Sequence, residues 1–167
     1  MKTSKKAVFL SLLTAAGILL QLLESFIPVV MIVPGYKIGI ANIVSLFALY
    51  AFGTREMWVV AFGRIFLSSL LQGNLFSVAW ILSVCGGICS MLAMSFLKKQ
   101  PCFSIYGVSV FGACFHSVGQ VLAITWIYQQ YFMQLFLPVL LALSVVSGLF
   151  IALLTNQVLV RLKGKVF

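Results

Sequence analysis

The chain contains no aspartate, and its only acidic residues are Glu24 and Glu56. Chemistry that needs a carboxylate cluster around Mg²⁺, or an aspartate-rich diphosphate site, has no place in this chain alone. Charge of either sign is scarce. Only 8% of the 167 residues are charged, against roughly a quarter in an ordinary soluble domain. No Gly-rich loop followed by Lys and Ser or Thr is present, so the chain has no ATP-hydrolysing motif of that type. Cys85, Cys89, Cys102 and Cys114 form no paired framework. Cys85 and Cys89 share one helix face; without a second pair they read as small packing residues, and no metal site or cofactor is expected.

What the chain has in abundance is apolar: 63% of its residues are hydrophobic and the mean hydropathy is +1.19. A water-soluble globular domain is excluded. The apolar runs are long and unbroken, with no sustained period of two, which argues for helices over strands. Six spans of roughly 20 residues use about 120 residues and leave only short loops and tails. The expected fold is all-α: one transmembrane domain over 1–167, a polytopic bundle of six helices. The spans are predicted at 7–27, 38–52, 57–71, 75–97, 104–128 and 135–159. The second and third are short. The first follows Lys2, Lys5 and Lys6 and is longer than a signal-peptide core, so it is read as a retained helix.

The net charge of +9 does not suggest nucleic acid, because the basic residues lie at segment ends and not in one stripe. With the N-terminus inside, Lys2, Lys5, Lys6, Arg55, Lys98, Lys99, Arg161, Lys163 and Lys165 are all cytoplasmic, and only Lys37 is outside. This positive-inside bias predicts that both termini face the cytoplasm of a bacterial-type cell membrane.

Polar residues fall where a membrane makes them costly. Arg64 sits near the middle of the third span and needs a partner or a wet cavity. His116 sits near the middle of the fifth, with Gln120 one turn further on the same face. Glu24 and Asn42 lie near the outer ends of their spans, and Lys37, Gln72 and Asn74 in outer loops. Together they suggest an outward-facing polar cavity. Lys37, Asn42, Arg64, His116, Gln120 and Glu24 are its candidate ligand-binding residues. Cationic excess with amide donors favours an anionic or carbonyl-rich ligand, and Phe76, Trp80 and Trp126 are candidates to hold an apolar portion. Each residue has a structural alternative: Arg64 locked to Glu24, His116 bonded to a neighbouring helix, Asn42, Gln72 and Asn74 capping helix ends. Small residues at Ser83, Gly86, Gly87 and Ser90, and at Ser109, Gly112 and Ala113, either pack helices closely or expose backbone to a ligand. Ala7, Ser11 and Ala15 form a small-residue stripe on the first helix, suited to docking another membrane protein or another span.

Pro34-Gly35-Tyr36-Lys37-Ile38-Gly39-Ile40-Ala41-Asn42 is similar to a motif of the Gx transporter family, also called heptaprenyl diphosphate synthase component I. The similarity continues with Arg64 and Gly73, with Ser83-Val84-Cys85-Gly86-Gly87 and Ser90, and with the run from Ser109-Val110-Phe111-Gly112 through His116 to Gln120. Ser117 departs from the pattern, where an asparagine is expected after the histidine. That family resembles the S components of energy-coupling factor transporters. These are six-helix membrane proteins that bind a micronutrient on the outer side and work with a transmembrane coupling protein and cytoplasmic ATPases. The resemblance implies a substrate-binding subunit, and it places the coupling-protein contact at Ala7, Ser11 and Ala15. The family's other name hints at an isoprenoid or quinone-related ligand. The competing reading is a non-catalytic membrane accessory that anchors a prenyl diphosphate synthase or an electron-transfer assembly. A membrane enzyme with His116 as general base is a third reading, with no evident nucleophile or metal set beside it.

Overall fold

A computed structural model describes residues 3–25, 39–129 and 131–162. Every regular element among them is helical: α1 (Thr3–Ser25), α2 (Asn42–Ala51), α3 (Thr54–Leu71), α4 (Val78–Leu97), α5 (Ile105–Tyr128) and α6 (Leu137–Leu162), with a 3₁₀ helix (Tyr131–Phe136) before α6. Stretches within α1, α4 and α5, and the stretch Tyr131–Leu162, are each long and apolar enough to cross a membrane. Two helices depart from the expected crossings. α2 has 10 residues, so it reaches about 15 Å, half of a hydrocarbon core. α3 has 18 residues but carries Arg55, Glu56 and Arg64.

The boundaries follow from local chemistry. Ser77 and Ser104 cap α4 and α5, their hydroxyls accepting from Trp80 N and Gly107 N. The connection between α2 and α3 is shorter than the gap between the expected spans 38–52 and 57–71. Gly53 alone, at φ +122°, reverses the chain, and Arg55 and Glu56 already belong to the first turn of α3.

α1 packs on α2 and α3; α2 also meets α6, and α3 meets α4. α4, α5 and α6 form an antiparallel series, seen in the approaches of Gly86 to Gln120, Gly112 to Met94 and Gly148 to Val110. Here the expected small residues serve close packing.

The interior divides along the bundle. Val44, Leu46, Ala48 and Leu49 of α2 join Met57, Val60 and Ala61 of α3, Met91 and Met94 of α4, Val108 of α5 and Ile151 of α6 in a dry core. Outside, Leu12, Phe66, Phe96, Leu122, Val146 and Phe150 are exposed. Arg64, Glu24, Gln21, Gln120 and many serines are buried. Apolar groups outside and polar groups inside is the arrangement that suits a lipid solvent.

Candidate functional site

α1 carries its polarity inward. Gly17, Gln21 and Glu24 follow at spacings of four and three, which stacks them on one face. They are the only buried positions among the described residues of α1. Leu10, Leu13 and Leu20 pack half-buried on the core, and the opposite face is apolar and exposed, with Val8 at 61% and Leu12 at 65%. The Gly39 N–H donates to Glu24 Oε1, tying the end of α1 to the turn that opens α2. Asn42 N closes that turn on Gly39 O at 2.8 Å.

Asn42 is the first residue of α2, and its side chain does not cap the helix; the N-cap position is Ala41 and makes no side-chain bond. Asn42 Oδ1 instead accepts from Arg64 Nη2 at 3.0 Å. Arg64 is 6% exposed. Its stem crosses α1 at Gly17, where a Cβ would stand 2.8 Å from Arg64 Cδ. Glycine at that position leaves the room the arginine uses. The Glu24 carboxylate lies near enough to act electrostatically on Arg64.

α4 and α5 supply the far wall. A Cβ on Gly86 would meet His116 O at 2.9 Å, His116 Cε1 at 3.0 Å and Gln120 Cγ at 2.8 Å. The helices approach closely there, and His116 and Ser83 come to face α1 and α3. The result is a small pocket lined by Gln21, Glu24, Gly39, Asn42, Arg64, Ile65, Ser83 and His116, with a cavity of about 30 Å³ that opens to solvent. Among the lining residues, Arg64 Nε and Gln21 Oε1 have no hydrogen-bond partner among the described residues.

Of the residues expected to bind ligand, Glu24, Asn42, Arg64 and His116 are brought together. Gln120 is buried one turn along α5 and packs at Gly86, outside the pocket lining. Lys37 lies outside the described residues. Gln72 and Asn74 bond to each other at 3.4 Å within the α3–α4 connection, and Asn74 O accepts from Ser77 Oγ. Phe76 and Trp126 are exposed, and neither they nor Trp80 line the pocket. Sequence reasoning passes over Gln21; the available signal is its place three residues before Glu24 in an otherwise apolar helix. Ser83 is expected as part of a packing cluster and proves to line the site. Ala7, Ser11 and Ala15 are exposed on α1, with Ser11 Oγ turned back onto Ala7 O at 3.1 Å.

The opposite end of the bundle is charged. Lys6 of α1 pairs with Glu56 of α3. Lys98 donates to Leu49 O near the C-terminus of α2, where a cation is favourable, and lies 5.3 Å from the centre of the Tyr50 ring. The hydrogen bond from Lys6, with the charges of Lys6 and Arg55, holds the Glu56 carboxyl below its ordinary range. Burial pushes the Lys98 ammonium down, against the attraction of Glu56. No cluster of three or more His, Cys, Asp or Glu side chains suited to a metal ion occurs among the described residues.

No curated protein and no solved structure matches the chain. Residues 13–158, most of its length, match the family described as heptaprenyl diphosphate synthase component I. On that match, the chain belongs to the heptaprenyl diphosphate synthase component I family.

Proposed function

We propose that this protein is the substrate-binding membrane subunit of an uptake system of the energy-coupling factor type. It captures a small anionic or polar-headed ligand, of micronutrient or isoprenoid-related kind, from the outer side of a bacterial-type cell membrane. One observation carries the reading: α1 is apolar toward the outside and polar toward a pocket holding Arg64, Glu24, Asn42 and Gln21. Burying a cation, a carboxylate and an amide in an apolar bundle is costly unless they serve a site. In this reading Arg64 and Lys37 are charge partners, and Asn42, His116 and Gln120 supply hydrogen bonds.

The bundle crosses the membrane with both termini in the cytoplasm. α2 and α3 complete the six crossings, α2 as a short buried helix extended by its flanking residues and α3 with its apolar face on the lipid. Lys6, Arg55, Lys98 and Lys99 then lie at the cytoplasmic end, as the positive-inside rule favours, and the pocket lies in the outer half. The chain has no phosphate loop of its own, so a transmembrane coupling protein and cytoplasmic ATPases supply the energy, docking along Ala7, Ser11 and Ala15. Purification from native membranes tests this. Coupling protein and ATPases are expected to accompany the tagged chain, and a bulky side chain placed on the stripe, as Ser11→Phe, is expected to release them. A chain that purifies alone, with uptake unaffected by its loss, contradicts the proposal.

The family name favours a second reading, a membrane-bound component of a prenyl diphosphate synthase. The aspartate-free chain would then leave the Mg²⁺-diphosphate chemistry to a soluble partner held at the basic end. This reading predicts a soluble synthase bound to the chain, with Arg64→Ala and His116→Ala affecting folding but no uptake.

A further inference from the structure

The polar side chains of the pocket differ in what they already hold. Asn42 Oδ1 accepts from Arg64 Nη2, Glu24 Oε1 accepts from Gly39 N–H, and Ser83 Oγ donates to Ala79 O. The hydroxyls of α1 are met in the same way, Ser11 by Ala7 O and Thr14 by Leu10 O. Gln21 is different. It is 5% exposed and lines the pocket, and its Oε1 has no hydrogen-bond partner among the described residues. A buried polar atom without a partner loses its hydration and gains nothing in return, so it lowers stability.

Arg64 offers the complementary group. Its Nη2 is committed to Asn42, while its Nε–H, in a side chain 6% exposed, has no partner among the described residues. Arg64 Cδ lies against Gly17, where a Cβ would stand 2.8 Å from it, and Nε is bonded to that carbon. Gln21 follows Gly17 by one turn on the same face of α1. An open acceptor and an open donor therefore flank one cavity of about 30 Å³, enough for the edge of one small polar group.

We infer that Gln21 is a ligand-selecting residue: its Oε1 accepts from an N–H or O–H of the ligand, beside an acceptor of the same group held by Arg64 Nε–H. The requirement is for a donor next to an acceptor and not for a net charge; an amide edge, a carboxylic acid and a hydrogen phosphate each carry both. This rests on the binding reading above. It also makes Gln21 a residue kept at the expense of the free protein's stability.

Thermal unfolding of the full chain in detergent tests it with two probes, 2-pyrrolidinone and γ-butyrolactone. They share ring size, carbonyl and charge, and differ in the N–H. Saturating 2-pyrrolidinone is expected to raise the wild-type midpoint by about 3 °C, and γ-butyrolactone to leave it unmoved. Gln21→Met, which keeps the length of the side chain without its polar atoms, is expected to lose the preference for the lactam and, without a probe, to unfold no lower than the wild type. The wild-type comparison needs no variant. Equal shifts of the wild type by the two probes overturn the role of Gln21 and leave the binding reading standing. A Gln21→Met protein that still prefers the lactam, or that unfolds well below the wild type without a probe, also overturns that role. No shift of the wild type by either probe overturns both.

Discussion

Arg64 Nη2 and Asn42 Oδ1 meet at 3.0 Å, joining the middle of α3 to the first residue of α2. This bond fixes a cation at the boundary between the dry core below it and the polar pocket above. Asn42→Leu leaves a buried guanidinium without that acceptor. The expected cost is about 2 kcal/mol, the range for a hydrogen bond to a charged group. Reversible unfolding of the purified protein in mixed detergent measures it; Asn42→Ser is expected to lose less.

Gly17 makes room for that arginine. A Cβ there would stand 2.8 Å from Arg64 Cδ, whereas a Cβ on Gly63 would meet Thr14 Cγ2 at 3.4 Å, an ordinary contact. Gly17→Ala is expected to displace Arg64 from Asn42 and weaken ligand binding at least tenfold. Gly63→Ala is expected to be neutral or stabilising by up to about 1 kcal/mol from helix propensity. Thermal midpoints with and without ligand separate the two.

Two further glycines separate the site from the scaffold. A Cβ on Gly86 would strike the His116 backbone oxygen, and one on Gly148 would stand 2.7 Å from Val110 Cα. Backbone cannot yield as a side chain can, so both alanine variants are expected to lose about 1–3 kcal/mol. Gly86→Ala also loses ligand affinity, because His116 lines the pocket. Gly148→Ala, on the α5–α6 seam, keeps it. Equal losses of affinity in both variants would count against the site.

The Lys6–Glu56 pair gives a pH dependence with a definite sign. The folded-state carboxyl of Glu56 lies below its ordinary value of 4.5, so the pair's contribution is full above 4.5 and is lost as the pH falls through the folded value. The midpoint of the wild type is expected to fall below pH 4.5 more steeply than that of Glu56→Gln. Identical acid limbs for the two proteins would contradict the assignment. The two side chains keep 35% and 18% of their surface exposed, so solvent screens the pair and the effect is expected to be small.

Hydropathy made the long helices legible, because an unbroken apolar run of membrane length has few other solutions. Arg64, His116, Glu24 and Asn42, which line one pocket, were legible as a group because each is costly in an apolar bundle. The second span was legible as short; its start at Asn42 was not, since Ile38 to Phe52 reads as one apolar run while the helix is set by where the Gly39 turn ends. Asn42 was equally ambiguous: a residue at a helix start looks like a cap until its partner on another helix is known. Gln21 was passed over because its meaning comes from facing the pocket and not lipid. Gln120, placed with His116 by helical spacing, packs with it at Gly86 on the α4–α5 seam, beside the pocket lining.

If the buried polar groups around Arg64 exist to hold a ligand, native mass spectrometry of the gently solubilised protein will detect it. The wild type is expected to carry an additional small-molecule mass, released on activation. Arg64→Met is expected to lose that mass while keeping its fold. A ligand-holding role is refuted by a wild type that carries no bound molecule under any growth condition, together with an Arg64→Met variant that differs from it only in stability.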